Sequence, residues 1–82
     1  MRLPRDLSGH DLIRLLRRYG YEAARQAGSH IRIETKSLGP LHRVTVPAHD
    51  SLRVGTLNAI LSDVADYLKL DRSQLIKELF EK

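Results

Sequence analysis

Three consecutive residues, Gly28-Ser29-His30, combine a backbone that can turn tightly, a hydroxyl and a titratable imidazole. They separate a short segment containing Arg25 from an alternating one containing Arg32 and Lys36. An imidazole beside fixed cations is a minimal set of parts for cutting RNA: the base takes the proton of a 2′-hydroxyl, and the cations hold the phosphate. Histidine suits this at neutral pH, because its unperturbed pKa lies near ~6.5. Ser29 reads as a turn residue that donates a hydrogen bond to a phosphate or to the loop. It lacks the nucleophile elbow that would activate it, and adjacent strand residues point apart.

The other three histidines read differently. His42 has the parity of Val44 and Val46 and is expected to be structural, at a strand end. His49 lies in a loop after Pro47, and His10 falls in a first helical turn, where it is exposed. No two histidines have the i, i+4 spacing of a metal site on a helix, and no carboxylate cluster accompanies them, so neither metal nor other cofactor is expected.

Composition limits the alternatives. A chain of 82 residues is one domain, residues 1–82; at this size only about 60% of the unfolded surface is buried, which leaves no room for a large internal pocket. Cysteine is absent, which excludes disulfides and thiolate metal sites. The N-terminus lacks the apolar stretch of a signal peptide, and no run reaches the roughly 18 apolar residues of a membrane span. A cytoplasmic protein without membrane contact is expected. The net charge of +4 is uneven: residues 1–53 carry ten basic and five acidic side chains, nine of the ten being arginine, and the remainder is slightly acidic. Arginine's planar fork matches phosphate, so this bias points to a polyanion partner. With three tyrosines, one phenylalanine and no tryptophan, stacking on bases is limited.

The elements that must position these groups follow from periodicity. Ser8 and Asp11 have capping-box spacing, and Leu12, Leu15, Leu16 and Tyr19 fall on one helical face, which predicts a first helix over Ser8–Tyr19, stopped at Gly20. Tyr21 to Gln26 is a short strand, and Ala27-Gly28-Ser29 a three-residue hairpin loop. From His30 the chain alternates: Ile31, Ile33 and Thr35 face one way, and His30, Arg32, Glu34 and Lys36 the other. Gly39-Pro40 breaks the run, Leu41 to Val46 forms a third strand, and Pro47 ends it. A second helix starts near Arg53–Thr56 with Leu57, Ile60, Leu61, Val64 and Leu68 on its stripe. Asp71 and Gln74 have capping-box spacing for a last helix, Ser73 to Phe80, within a helical extension over 69–82. The expected fold is α+β in two layers: helix, three-stranded antiparallel sheet, helix, short helix. Ile31 and Ile33 must face the helices, which sends His30, Arg32 and Lys36 to the open face. This order matches small double-stranded-RNA-binding domains by analogy of fold.

Four segments, in this order and spacing, resemble one family: Arg2-Leu3-Pro4-Arg5-Asp6-Leu7-Ser8-Gly9, Arg25-Gln26-x-Gly28-Ser29-His30, Val46-Pro47-x-His49, and Gly55-Thr56-Leu57-x-x-Ile60-Leu61. Over about residues 2 to 68 the chain resembles HicA, the toxin half of the HicA/HicB toxin–antitoxin systems. The resemblance implies a double-stranded-RNA-binding-domain-like fold and a metal-independent endoribonuclease that cleaves mRNA. It also implies that His30 is catalytic and that a HicB-type antitoxin covers it. The extra helix after residue 69 departs from the commonest short pattern and bears on how the antitoxin docks.

The resulting expectation places His30 as general base, Arg25 and Arg32 on the phosphate, Gly28 and Ser29 donating to it from the turn, and Lys36 as a further RNA contact. Two alternatives use the same surface: a non-catalytic RNA-binding module, and a protein-interaction domain that docks an acidic partner.

Overall fold

The computed structural model describes residues 3–81 and shows the expected α+β arrangement. Helix α1 (Gly9–Leu16) is followed by a 3₁₀ turn at Arg17–Tyr19, then strands β1 (Glu22–Ala27), β2 (His30–Thr35) and β3 (His42–Pro47), and helices α2 (Val54–Leu68) and α3 (Arg72–Phe80). The sheet is an antiparallel meander of order β1-β2-β3.

Alternation in β2 decides the layering. Ile31, Ile33 and Thr35 are buried, and His30 and Arg32 are exposed. Val44 and Val46 are buried on the same side of β3. These residues join Leu12, Leu16, Leu57, Leu61 and Val64 in one apolar core, so the helices cover one face of the sheet and leave the other open. The third helix adds Leu75, Ile76 and Leu79 to that core, which places the extension on the helical layer, away from the open face.

Several boundaries differ from the sequence reading. Ser8 caps α1 from outside, its Oγ accepting the Asp11 N–H at 3.0 Å, and the last three residues of the expected helix tighten into the 3₁₀ turn. Tyr21 precedes β1 and is fully buried. Ala27 pairs with His30, so the hairpin loop is only Gly28-Ser29. Gly28 at φ +59° takes the positive φ that closes so short a loop. Asp71 stands at the start of α3 without a side-chain capping bond, and Gln74 instead donates to Glu78 at 2.9 Å, one turn along.

Two contacts fix the layers to each other. At the hairpin end, the N–H of Gly9 donates to His49 O at 3.0 Å, and a Cβ at Gly9 would lie 1.9 Å from Pro47 O. The helix can approach the end of β3 this closely only because residue 9 has no side chain. At the far end, His42 is structural as expected. Its Nδ1 meets the Tyr21 hydroxyl at 2.6 Å and its Nε2 meets Asp63 Oδ1 at 3.1 Å, and its ring stacks on Tyr67 at 4.7 Å. Burial pushes the Tyr21 phenol well above the usual tyrosine range, with the nearby Asp63 carboxylate adding to the shift. Tyr19 donates to Glu78 at 2.6 Å, and burial, then that carboxylate, raises its pKa to about 12.

Two outcomes follow. Gly9→Ala must separate α1 from β3 and is expected to cost about 1–3 kcal/mol, read as a lower midpoint in denaturant; an unchanged midpoint would contradict the close approach. Tyr19 and Tyr21 both bind their protons more tightly when folded. Their contribution is therefore complete below pH 10 and is lost as pH rises from 10 toward 12. Denaturant midpoints measured across that window should fall, and Tyr19→Phe should flatten the fall.

Candidate active site

The geometry of the β1–β2 hairpin decides what surrounds His30. Cross-strand partners are Ala27 with His30 and Arg25 with Arg32 in β1 and β2, and Pro47 with His30 and Thr45 with Arg32 in β2 and β3. These pairs share the open face. Arg25, Ala27, His30, Arg32 and Thr45 line a shallow depression of about 420 Å³. His30 stands between the small side chain of Ala27 and the ring of Pro47, exposed to solvent. The hairpin is held in place by Gln26 Nε2 donating to Gly28 O at 3.0 Å and by Ala48 N donating to Ser29 O at 2.6 Å.

Arg25 and Arg32 are directly opposite each other, and neither has an ion-pair partner among the described residues. Cross-strand partners bring their Cβ atoms to about 5 Å, where like charges destabilise the sheet. One register step pair further along β2, Glu34 meets Arg43 across β3 at 2.9 Å and that part of the face is neutralised. The open face is therefore polarised, with two uncompensated guanidiniums at the His30 end and a compensated pair at the other. An anion bridging Arg25 and Arg32 would remove the repulsion and gain two charge-assisted hydrogen-bonding forks.

Of the residues expected at the site, Arg25, His30 and Arg32 come together, with Gly28 and Ser29 at the adjoining turn. Lys36 does not join them. It lies beyond the opposite end of β2, beside Glu22 and Glu34, roughly 20 Å along the strand at about 3.3 Å per residue. Thr45 is an addition that the parity of Val44 and Val46 implies: the residue between two buried valines must face outward, opposite Arg32. Among the described residues, no group of three or more His, Cys, Asp or Glu side chains gathers into a set that could hold a metal ion. No described helix is long and apolar enough to cross a membrane.

Fold and site define a small two-layer α+β protein with an exposed histidine in an arginine-lined depression on an open sheet. A family model described as the HicA toxin of bacterial toxin–antitoxin matches residues 9–65, and the chain belongs to that family. The match runs from the start of α1 into α2 and contains the whole depression; α3 lies outside it. No curated protein and no solved structure matches the chain.

The uncompensated pair makes a test that needs no substrate. Arg32→Gln is expected to stabilise the free protein by about 0.2–1 kcal/mol by removing the like-charge contact. Added salt should raise the melting temperature of the wild type more than that of the variant, because screening relieves only the former. A variant less stable than the wild type at low salt would show that the two guanidiniums do not oppose folding.

Proposed function

We propose that the protein is a metal-independent endoribonuclease that acts on mRNA in the cytoplasm as the toxin of a toxin–antitoxin pair and is neutralised by a HicB-type antitoxin. The observation that carries the reading is the placement of His30 in one depression with the uncompensated Arg25–Arg32 pair. A phosphodiester is the anion this arrangement favours, since two forks can grip its two free oxygens while the adjacent 2′-hydroxyl faces an imidazole.

In the proposed reaction the neutral imidazole of His30 accepts the 2′-hydroxyl proton. The 2′-oxygen attacks the phosphorus in line, and the bond to the 5′-oxygen breaks, that oxygen being protonated by water. The products are a 2′,3′-cyclic phosphate and a 5′-hydroxyl. Arg25 and Arg32 neutralise the charge that grows on the phosphate oxygens, and the turn at Gly28 and Ser29 offers further donors at the rim. His30 is exposed and flanked by Ala27, which leaves its ring open to a ribose approaching from solvent. Lys36 meets only a distant part of a long RNA.

Purified wild type and His30→Ala are to be incubated with long single-stranded RNA, with and without chelator, and the ends of the products identified. Removal of a general base is expected to slow cleavage by about 10²–10⁴-fold, with chelator-resistant activity in the wild type and cyclic phosphate ends. Products with 5′-phosphates, or wild-type activity abolished by chelator, would overturn the mechanism. RNA bound equally by both proteins and cut by neither would leave a binding module instead.

A further inference from the structure

Strand β1 is a free edge of the sheet, and all six of its residues are exposed. Ala23 and Gln26 face the helical side, opposite Ile33 and Ile31. Those isoleucines are buried and their β1 partners are not, so the helical layer ends at β2 and β1 overhangs it. Beneath the overhang a groove of about 240 Å³ separates β1 from α1. Its helical wall presents His10 and Arg14 from α1 and Arg17 from the 3₁₀ turn that continues it, spaced i, i+4 and i+7 on one stripe. Arg14 is partly engaged by Asp11 at 3.3 Å, and Arg17 has no ion-pair partner among the described residues.

The edge thus has cations on both sides: Arg25 and Arg32 on the open face, Arg14 and Arg17 below. A strand added there would send alternate side chains to the two faces and meet positive charge on each. Its backbone would pair with the N–H and C=O groups of β1 that point away from β2. A second copy of β1 is a poor occupant, because it would bring Arg25 and another α1 stripe against their own likenesses. The small side chains of Ala23, Ala24 and Ala27 leave room for a neighbour, and the register shift between Ala23 and Arg25 confines regular pairing to the hairpin end.

We propose that the free edge of β1 is the docking site for an acidic, extended segment of a partner protein. The segment joins the sheet as a fourth strand with carboxylates directed to Arg25 and Arg32 on one face and to Arg14 and Arg17 on the other. Seated there, it borders the depression that holds His30 and occupies the cations that a phosphate would use. The inference does not require that the chain cut RNA, and its test is read without any cleavage.

The test is an amide NMR titration of the intact protein with four probes. These are a short capped peptide of glutamate, threonine and valine with carboxylates on both faces, its glutamine counterpart, an N-methylated version unable to pair, and a short single-stranded RNA. The glutamate peptide is expected to slow hydrogen exchange about tenfold at the β1 amides that point away from β2. It should bind about tenfold more tightly than either modified peptide, and Arg14→Ser with Arg17→Ser should weaken it by several-fold, the resonances confirming an intact fold. Equal binding of the N-methylated peptide would exclude strand pairing. Absence of protection at β1, or perturbation of the α1 stripe by RNA alone, would overturn the proposal.

Discussion

The burial of Ile31 and Ile33 is the constraint on which the rest of the molecule depends, because it fixes the strand register that sets Arg25 and Arg32 opposite each other on the open face with no acid between them. The repulsion between Arg25 and Arg32 opposes the β1–β2 ladder that creates it. It persists because the register is set elsewhere. Gly28 closes the hairpin in two residues, Ile31 and Ile33 commit β2 to the core, and a slip of one residue would turn both isoleucines out to solvent. The buried face thus dictates where the charges stand on the open one.

The supports are distributed to suit that task. At the hairpin end, the backbone of Ser29 is tied to Ala48, and the loop after β3 is tied to the start of α1 through Gly9. At the other end, Tyr21, His42, Asp63 and Tyr67 form a linked polar and aromatic set between sheet and α2. Their polar atoms find partners, as a buried tyrosine hydroxyl requires. The third helix closes the core beside α1, with Arg18 donating to the Glu78 carbonyl and Tyr19 to its carboxylate. The rigid layer is therefore wholly on one side, and the open face of the sheet is left uncovered by the described helices.

Much of this was legible in the sequence because period-two alternation is strict in β2. Ile31, Ile33 and Thr35 identify the buried face, and His30 and Arg32 follow as exposed neighbours. The cross-strand partnership of Arg25 and Arg32 was not, since it depends on whether the hairpin loop has two residues or three. A three-residue loop would have set Gln26, not Ala27, opposite His30. Lys36 illustrates the other limit: it has the right parity, but parity does not measure distance along a strand, and the charge lies beyond the compensated Glu34–Arg43 pair. The overhang of β1 was equally hidden, because its Ala-rich sequence has no pattern from which the extent of the helical layer could be read. Asp71 makes no side-chain capping bond, and the Gln74 side chain, which a capping box would turn back toward the Asp71 N–H, instead donates forward to Glu78.

The central claim is that Arg25 and Arg32 form a device for holding one phosphate between them. The most direct measurement is a double-mutant cycle on Arg25 and Arg32, each changed to glutamine in a His30→Ala background. Folding stability is measured without ligand and with a saturating short single-stranded RNA. In the free protein the coupling should be repulsive, and with RNA bound it should change sign, because both forks then act on the same anion. A coupling that is the same in both states would contradict the account, and would mean that the two arginines are neighbours without a shared ligand.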